Sequence, residues 1–288
     1  MEATSEKQQI SPQLATVIKS VPEPTFVRDI VPYFLPSYAF AVSHFVYKMT
    51  GNLLVPIWLA YTVNLKNFWR KKTKAESNLD QLSEQAFAKD KRFFLPLYFF
   101  VTNDVLNWLW CLFLVSDKNP LSDTPYSFIF ENHHGQSFLN WLVFTFVWGY
   151  MAGLAGLAGH ELIHKREVYN KVIGIIPFTK ILYSHFFLEH SNGHHRHVAT
   201  EHDPATAKQG ETFYTFFPRS VFGGLLNTHK REMERIEAEF NEKNSTDNTT
   251  KVPLLVVLYE HRMLWFFGMQ ACLLLAIQWV FGAWAVLF

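Results

Sequence analysis

Eight of the thirteen histidines fall between positions 160 and 202, and two groups among them have the spacing of metal ligands. The first is His160-Glu161-Leu162-Ile163-His164. On a helix, residues four apart share a face, so both imidazoles can reach one metal ion. The second is His190-Ser191-Asn192-Gly193-His194-His195. His190 and His194 again share a face, and His195 turns about 100° further, toward a second metal or a bridging position. Imidazole suits iron, copper and zinc. The two cysteines, Cys111 and Cys272, sit in apolar runs and build neither a thiolate cluster nor a disulfide framework.

A lone HExxH match is a weak signal. Two histidine groups separated by 25 residues are harder to explain as stray polar side chains. Glu161, about 100° round the helix from His160, is a candidate to orient a ligand imidazole. His185 and Asp203 are candidates for the same role, although Asp203 could instead cap a turn before Pro204. His197 and His202 read as solvated neighbours. His133 and His134 read as exposed loop residues, and His44, His229 and His261 as isolated structural ones.

The elements that must position these groups are apolar. A membrane span needs about 20 apolar residues. Runs at about 31–47, 50–65, 93–115, 138–159 and 262–281 qualify, the first two as a short helical hairpin joined at Lys48 to Gly51. The pattern predicts an all-α fold, a polytopic transmembrane helical bundle with about five spans. Asn103, Asp104 and Asn107 in the third run should face the bundle interior. Gly153, Gly156 and Gly159 in the fourth should admit a neighbouring helix closely. Trp58 and Trp108 could limit how deep an alkyl chain penetrates, or simply pack or anchor at the interface.

Segment 66–92 holds eight lysines and arginines, whereas 117–137 holds only Lys118. Positive residues stay on the cytoplasmic side, so 66–92 is inside. His160 then meets the cytoplasm, and both histidine groups sit at that membrane face. Water and electron donors can reach such a site from the cytosol, and an apolar substrate from the bilayer. Residues 196–252 read as a large, turn-rich cytoplasmic loop containing a linker, in which the sequons at Asn244 and Asn248 go unused. Residues 1–28 form a polar N-terminal tail that is neither a signal nor a transit peptide. Residues 29–288 form the membrane domain. A net charge of +1 offers no basis for nucleic-acid binding.

The segments HELIHK at His160–Lys165 and YSHFFLEHSNGHHRHVATEHDPA at Tyr183–Ala205 resemble the alkane 1-monooxygenase family. That family lies within the desaturase-like superfamily of membrane di-iron proteins. The likeness continues through Gly210-Glu211, Tyr214 and Arg219. It implies a six-helix bundle holding two Fe ions on histidines alone, with His160, His164, His190, His194 and His195 as ligands here. It also implies O2, a rubredoxin-type or other electron carrier, and hydroxylation of the terminal carbon of an alkane or alkyl chain. The family's further NYxxHYG-like and HSxHH-like segments, with four of the usual nine histidine ligands, do not occur before Phe288. The expectation is therefore a domain incomplete at its C-terminus, one span short and inactive alone. The rivals are a membrane fatty-acyl desaturase or hydroxylase, a membrane zinc metalloprotease using His160, Glu161 and His164, and a non-enzymatic fragment that binds a partner.

Overall fold

The computed structural model describes residues 26–50, 58, 90–116, 121–127, 138–244 and 251–288. Every regular element among them is helical. The chain divides into two units, Met1–Asn103 and Asp104–Phe288.

In the first unit, short helical turns over Phe26–Ile30 and Val31–Phe34 lead into α1, Leu35–Thr50. Tyr33 meets Phe93 edge-on, and Phe34 and Tyr38 both reach Phe99. Asp90 accepts from the Arg92 backbone N–H and so starts the turn Lys91–Phe94 that precedes α2, Leu95–Val115. Sixteen residues make α1 about 24 Å long, short of the hydrocarbon layer. The expected span at 50–65 lies outside the described residues, Trp58 apart.

The second unit holds α3 (Phe138–Ile163), α4 (Val168–Lys180), α5 (Phe186–Glu189), α6 (His195–His197), α7 (Phe213–Asn244), α8 (Leu254–Glu260), α9 (Arg262–Phe281) and α10 (Ala283–Leu287). Three described helices are long and apolar enough to cross a membrane: Lys91–Val115, Trp141–Ile163 and Arg262–Phe281. They coincide with three of the five expected spans, and the protein is a helical membrane protein.

Helices α3 and α4 form a tight hairpin. A Cβ on Gly159 would stand 2.6 Å from the Gly174 carbonyl oxygen, and one on Gly174 would stand 2.7 Å from that of Gly159. Gly156 meets Phe178, whereas Gly153 faces open space among the described residues. At the end of α4, Lys180 donates to Asp104 of α2 at 2.7 Å, both side chains almost wholly buried. Gln270 of α9 donates to Ser184, which donates to Thr179 of α4. These polar contacts pin the turn that leads into the second histidine group.

Much of the region read as a large loop is a single 32-residue helix, α7. Its buried stripe is Gly224, Thr228, Glu232 and Ile236, at helical spacing but with a single large apolar residue. A hydropathy reading does not see such a face. Gly282, at φ +90°, ends α9, and α10 then runs beside the start of α3 with Trp284 on Trp141 and Phe288 on Phe144.

Candidate metal centre

Helix α3 does not stop at the apolar layer; its last turn carries His160, and His164 follows immediately. Their Nε2 atoms lie 3.1 Å apart. His190 stands opposite, its Nε2 2.7 Å from that of His160 and 3.0 Å from that of His164. The Nε2 of His195 is 3.0 Å from the same atom. Two imidazole nitrogens bound at right angles to one ion, each about 2.1 Å away, lie about 3 Å apart. The separations are those of ligands converging on a metal.

The second group does not sit on a regular α-helix. His190–His194 is one π-helical turn. In an α-helix, residues five apart diverge by about 140°. The wider turn brings His190 and His195 together instead, while the His194 ring stacks on His190 at 5.4 Å. His190 and His194 share a face as expected, but His195 does not turn about 100° beyond it; it comes back beside His190. Single π turns recur at functional sites.

His194 Nδ1 lies 2.8 Å from Asp203 Oδ2. An N–H donated there leaves Nε2 as the ring's acceptor nitrogen. The Asp203 carboxylate is itself fixed, accepting from the Ala205 N–H and the Thr206 hydroxyl. Burial works against its ionisation, but those hydrogen bonds and His194 outweigh it and hold its pKa below the usual value. Glu211 and Arg219 pair at 2.6 Å, and Arg219 also donates to the Pro204 and Thr206 carbonyls, closing the Asp203–Glu211 loop.

Burial, reinforced by the surrounding imidazoles, pushes His190 down to about 3. Burial and His160 lower His164 as well. Imidazoles kept neutral are ready to bind a cation.

The remaining candidates behave differently. Glu161 is more than half exposed, 3.8 Å from His160 Nδ1 and 4.0 Å from Lys165. It lies on the Nδ1 side, away from the converging Nε2 atoms. His185 is buried, but its ring meets Tyr183 and Phe267, with no hydrogen-bond partner among the described residues. Phe186 stacks on His190 at 4.7 Å in its place. His197 and His202 pair edge-on with each other, and His229 stacks on His261.

Sequence reasoning missed Glu189. Its buried carboxylate accepts from Thr228 of α7 at 3.1 Å. A Cβ on Gly193 would stand 2.6 Å from the carboxyl atoms, so only glycine leaves room. Arg231 adds a second tie, donating to the Asn192 carbonyl at 2.7 Å. The available signal was an acid directly preceding the second group, with glycine four residues on.

The family model for fatty acid desaturase matches residues 137–288, which include every residue of this site. The chain belongs to the fatty acid desaturase family. Within that family it is similar to alkane 1-monooxygenase 1 of Alcanivorax borkumensis, 40% identical over 138 residues, 47% of this chain and 34% of the relative. The alkane 1-monooxygenase of Pseudomonas putida matches equally, at 40% over 138 residues with the same shares. That of Ectopseudomonas oleovorans is 36% identical over 137 residues. The chain spans about a third of the length of the curated relatives it matches.

Proposed function

We propose that this desaturase-family chain carries histidine ligands of a non-haem di-iron centre that hydroxylates the terminal carbon of alkanes or alkyl chains. The observation that supports it most is the convergence of the His160, His164 and His190 Nε2 atoms at the end of an apolar helix, with His195 Nε2 3.0 Å from that of His190. The names of the relatives supply the reaction. Metal bound here supplies oxygen activation and C–H cleavage. The chain's residues do the rest. His160, His164, His190, His194 and His195 hold the metal, Asp203 fixes the His194 ring, and Phe186 covers His190 on its apolar side.

One atom of O2 enters the C–H bond, and the other leaves as water with two protons and two electrons. The electrons come from a rubredoxin-type or other carrier, approaching from the cytoplasmic face that the charge bias indicates. The alkyl chain arrives through the bilayer. A zinc protease would need Glu161 beside the metal to activate water. Its position at Nδ1 of His160 argues against that.

The test is to supply membranes holding the protein with a medium-length n-alkane, a carrier with its reductase, and 18O2. The expected product is a primary alcohol carrying 18O. An alkene, or an alcohol without the label, would refute the reading.

A further inference from the structure

Between the loop after the second histidine group, helix α7 and the start of α9 lies a recess of about 980 Å³. That is at the upper end of small-molecule sites, about 300–1,000 Å³. Its lining contains seven lysines and arginines against three glutamates. Three of those cations are already paired, Arg235 and Arg262 with Glu232 and Arg219 with Glu211, which leaves Arg196, Lys208, Lys230 and Arg231 against Glu201 and Glu234. Arg196 has no side-chain partner among the described residues. The Lys230 contact to Glu234 is 3.8 Å long between exposed groups, and such pairs hold little. Arg231 commits one N–H to Asn192 and keeps others available.

The depth of this recess is fixed by α9. Arg262 is both a lining residue and the first residue of an apolar spanning helix. Trp265 and Tyr259 beside it are exposed, and the Trp265 indole donates to the Tyr259 carbonyl at 2.7 Å. Leu254, Leu255 and Leu258 just before them are exposed too. Exposed tryptophan, tyrosine and arginine at the mouth of an apolar span are the composition of a membrane–water interface. The recess therefore opens at headgroup level.

We propose that this recess binds the phosphate of an anionic phospholipid headgroup. Guanidinium groups match phosphate oxygens in paired hydrogen bonds, and Arg196, Lys230 and Arg231 all line the recess. Basic pockets at helix mouths take such headgroups. The sharing of Arg262 with a span, and the exposed Tyr259 and Trp265 close to it in sequence, favour a lipid over an acidic protein. Occupancy also bears on the metal centre, because Arg231 holds the Asn192 carbonyl between His190 and His194.

The proposal is tested on the whole chain, purified in neutral detergent, by native mass spectrometry. Phosphatidylglycerol, phosphatidylcholine and inorganic phosphate are titrated against the unaltered protein and an Arg196→Gln/Lys230→Gln variant whose helix content is verified by circular dichroism. The unaltered protein should hold phosphatidylglycerol at least about tenfold more tightly than phosphatidylcholine, and the variant should lose that preference. Equal molar inorganic phosphate should leave the bound lipid in place. A preference that survives in the variant overturns the proposal, and displacement by inorganic phosphate reassigns the recess to a free anion. Iron content of the same samples reports on the metal centre separately.

Discussion

The Nε2 atoms of His190 and His195, five residues apart, lie 3.0 Å from each other because the segment between them is a π turn. His190 is the hub of the cluster, with three imidazoles around one nitrogen. Replacing it should therefore cost more metal than replacing any peripheral histidine. His190→Ala should abolish iron retention, whereas His197→Ala should leave it unchanged; metal analysis of purified protein reads both.

In the proposed centre Asp203 acts through His194. Asp203→Asn keeps the shape but weakens the charge-assisted contact at 2.8 Å. Loss of such a metal-ligand partner lowers metal affinity about 10–100-fold. Competition with a chelator of known affinity should give a shift in that range. The wild-type value would contradict the role.

Two glycines should respond in opposite ways. Gly193→Ala drives a Cβ to 2.6 Å from the Glu189 carboxylate, so it should destabilise by about 1–3 kcal/mol and lower iron content. Gly149→Ala, on α3 with open space around it, should leave stability unchanged or raise it by up to about 1 kcal/mol. Thermal denaturation in detergent distinguishes them.

The Asp104–Lys180 pair is buried between apolar helices. Lys180→Met leaves an uncompensated carboxylate and should cost about 3–5 kcal/mol. Adding Asp104→Leu should recover most of that. A double variant no better than the single would show that the pair is not the unit.

Burial, then His229, lowers the pKa of His261, with Glu232 opposing. The folded chain keeps this ring neutral where the unfolded chain, with a pKa near about 6.5, takes a proton. Stability is therefore unaffected above that value and is lost as pH falls through it. Between pH 7 and 5 the thermal midpoint should fall, and His261→Gln should flatten the slope. An identical slope would remove His261 from the account.

Three of the five expected spans and the clustering of the histidines were legible because their signals are local: apolar runs of sufficient length, and histidines four apart. Helix α7 was not, because its buried stripe contains glycine, threonine and a paired glutamate, which hydropathy scores as loop. The pairing of His190 with His195 was hidden by the assumption of 3.6 residues per turn. The surroundings of His185 were hidden for another reason. Its spacing suggested a ligand partner, but Phe186 takes the place beside His190 and sends His185 toward α9. Glu189 and Arg231 depend on α7 packing against the histidine segment, a contact spanning about 40 positions of sequence.

The central claim is that His160, His164, His190 and His195 hold iron. Its most direct test is the metal content of protein purified under anaerobic, iron-replete conditions. Bound iron that exceeds zinc and disappears in His190→Ala is the predicted result. Stoichiometric zinc, or iron that persists without His190, would contradict it.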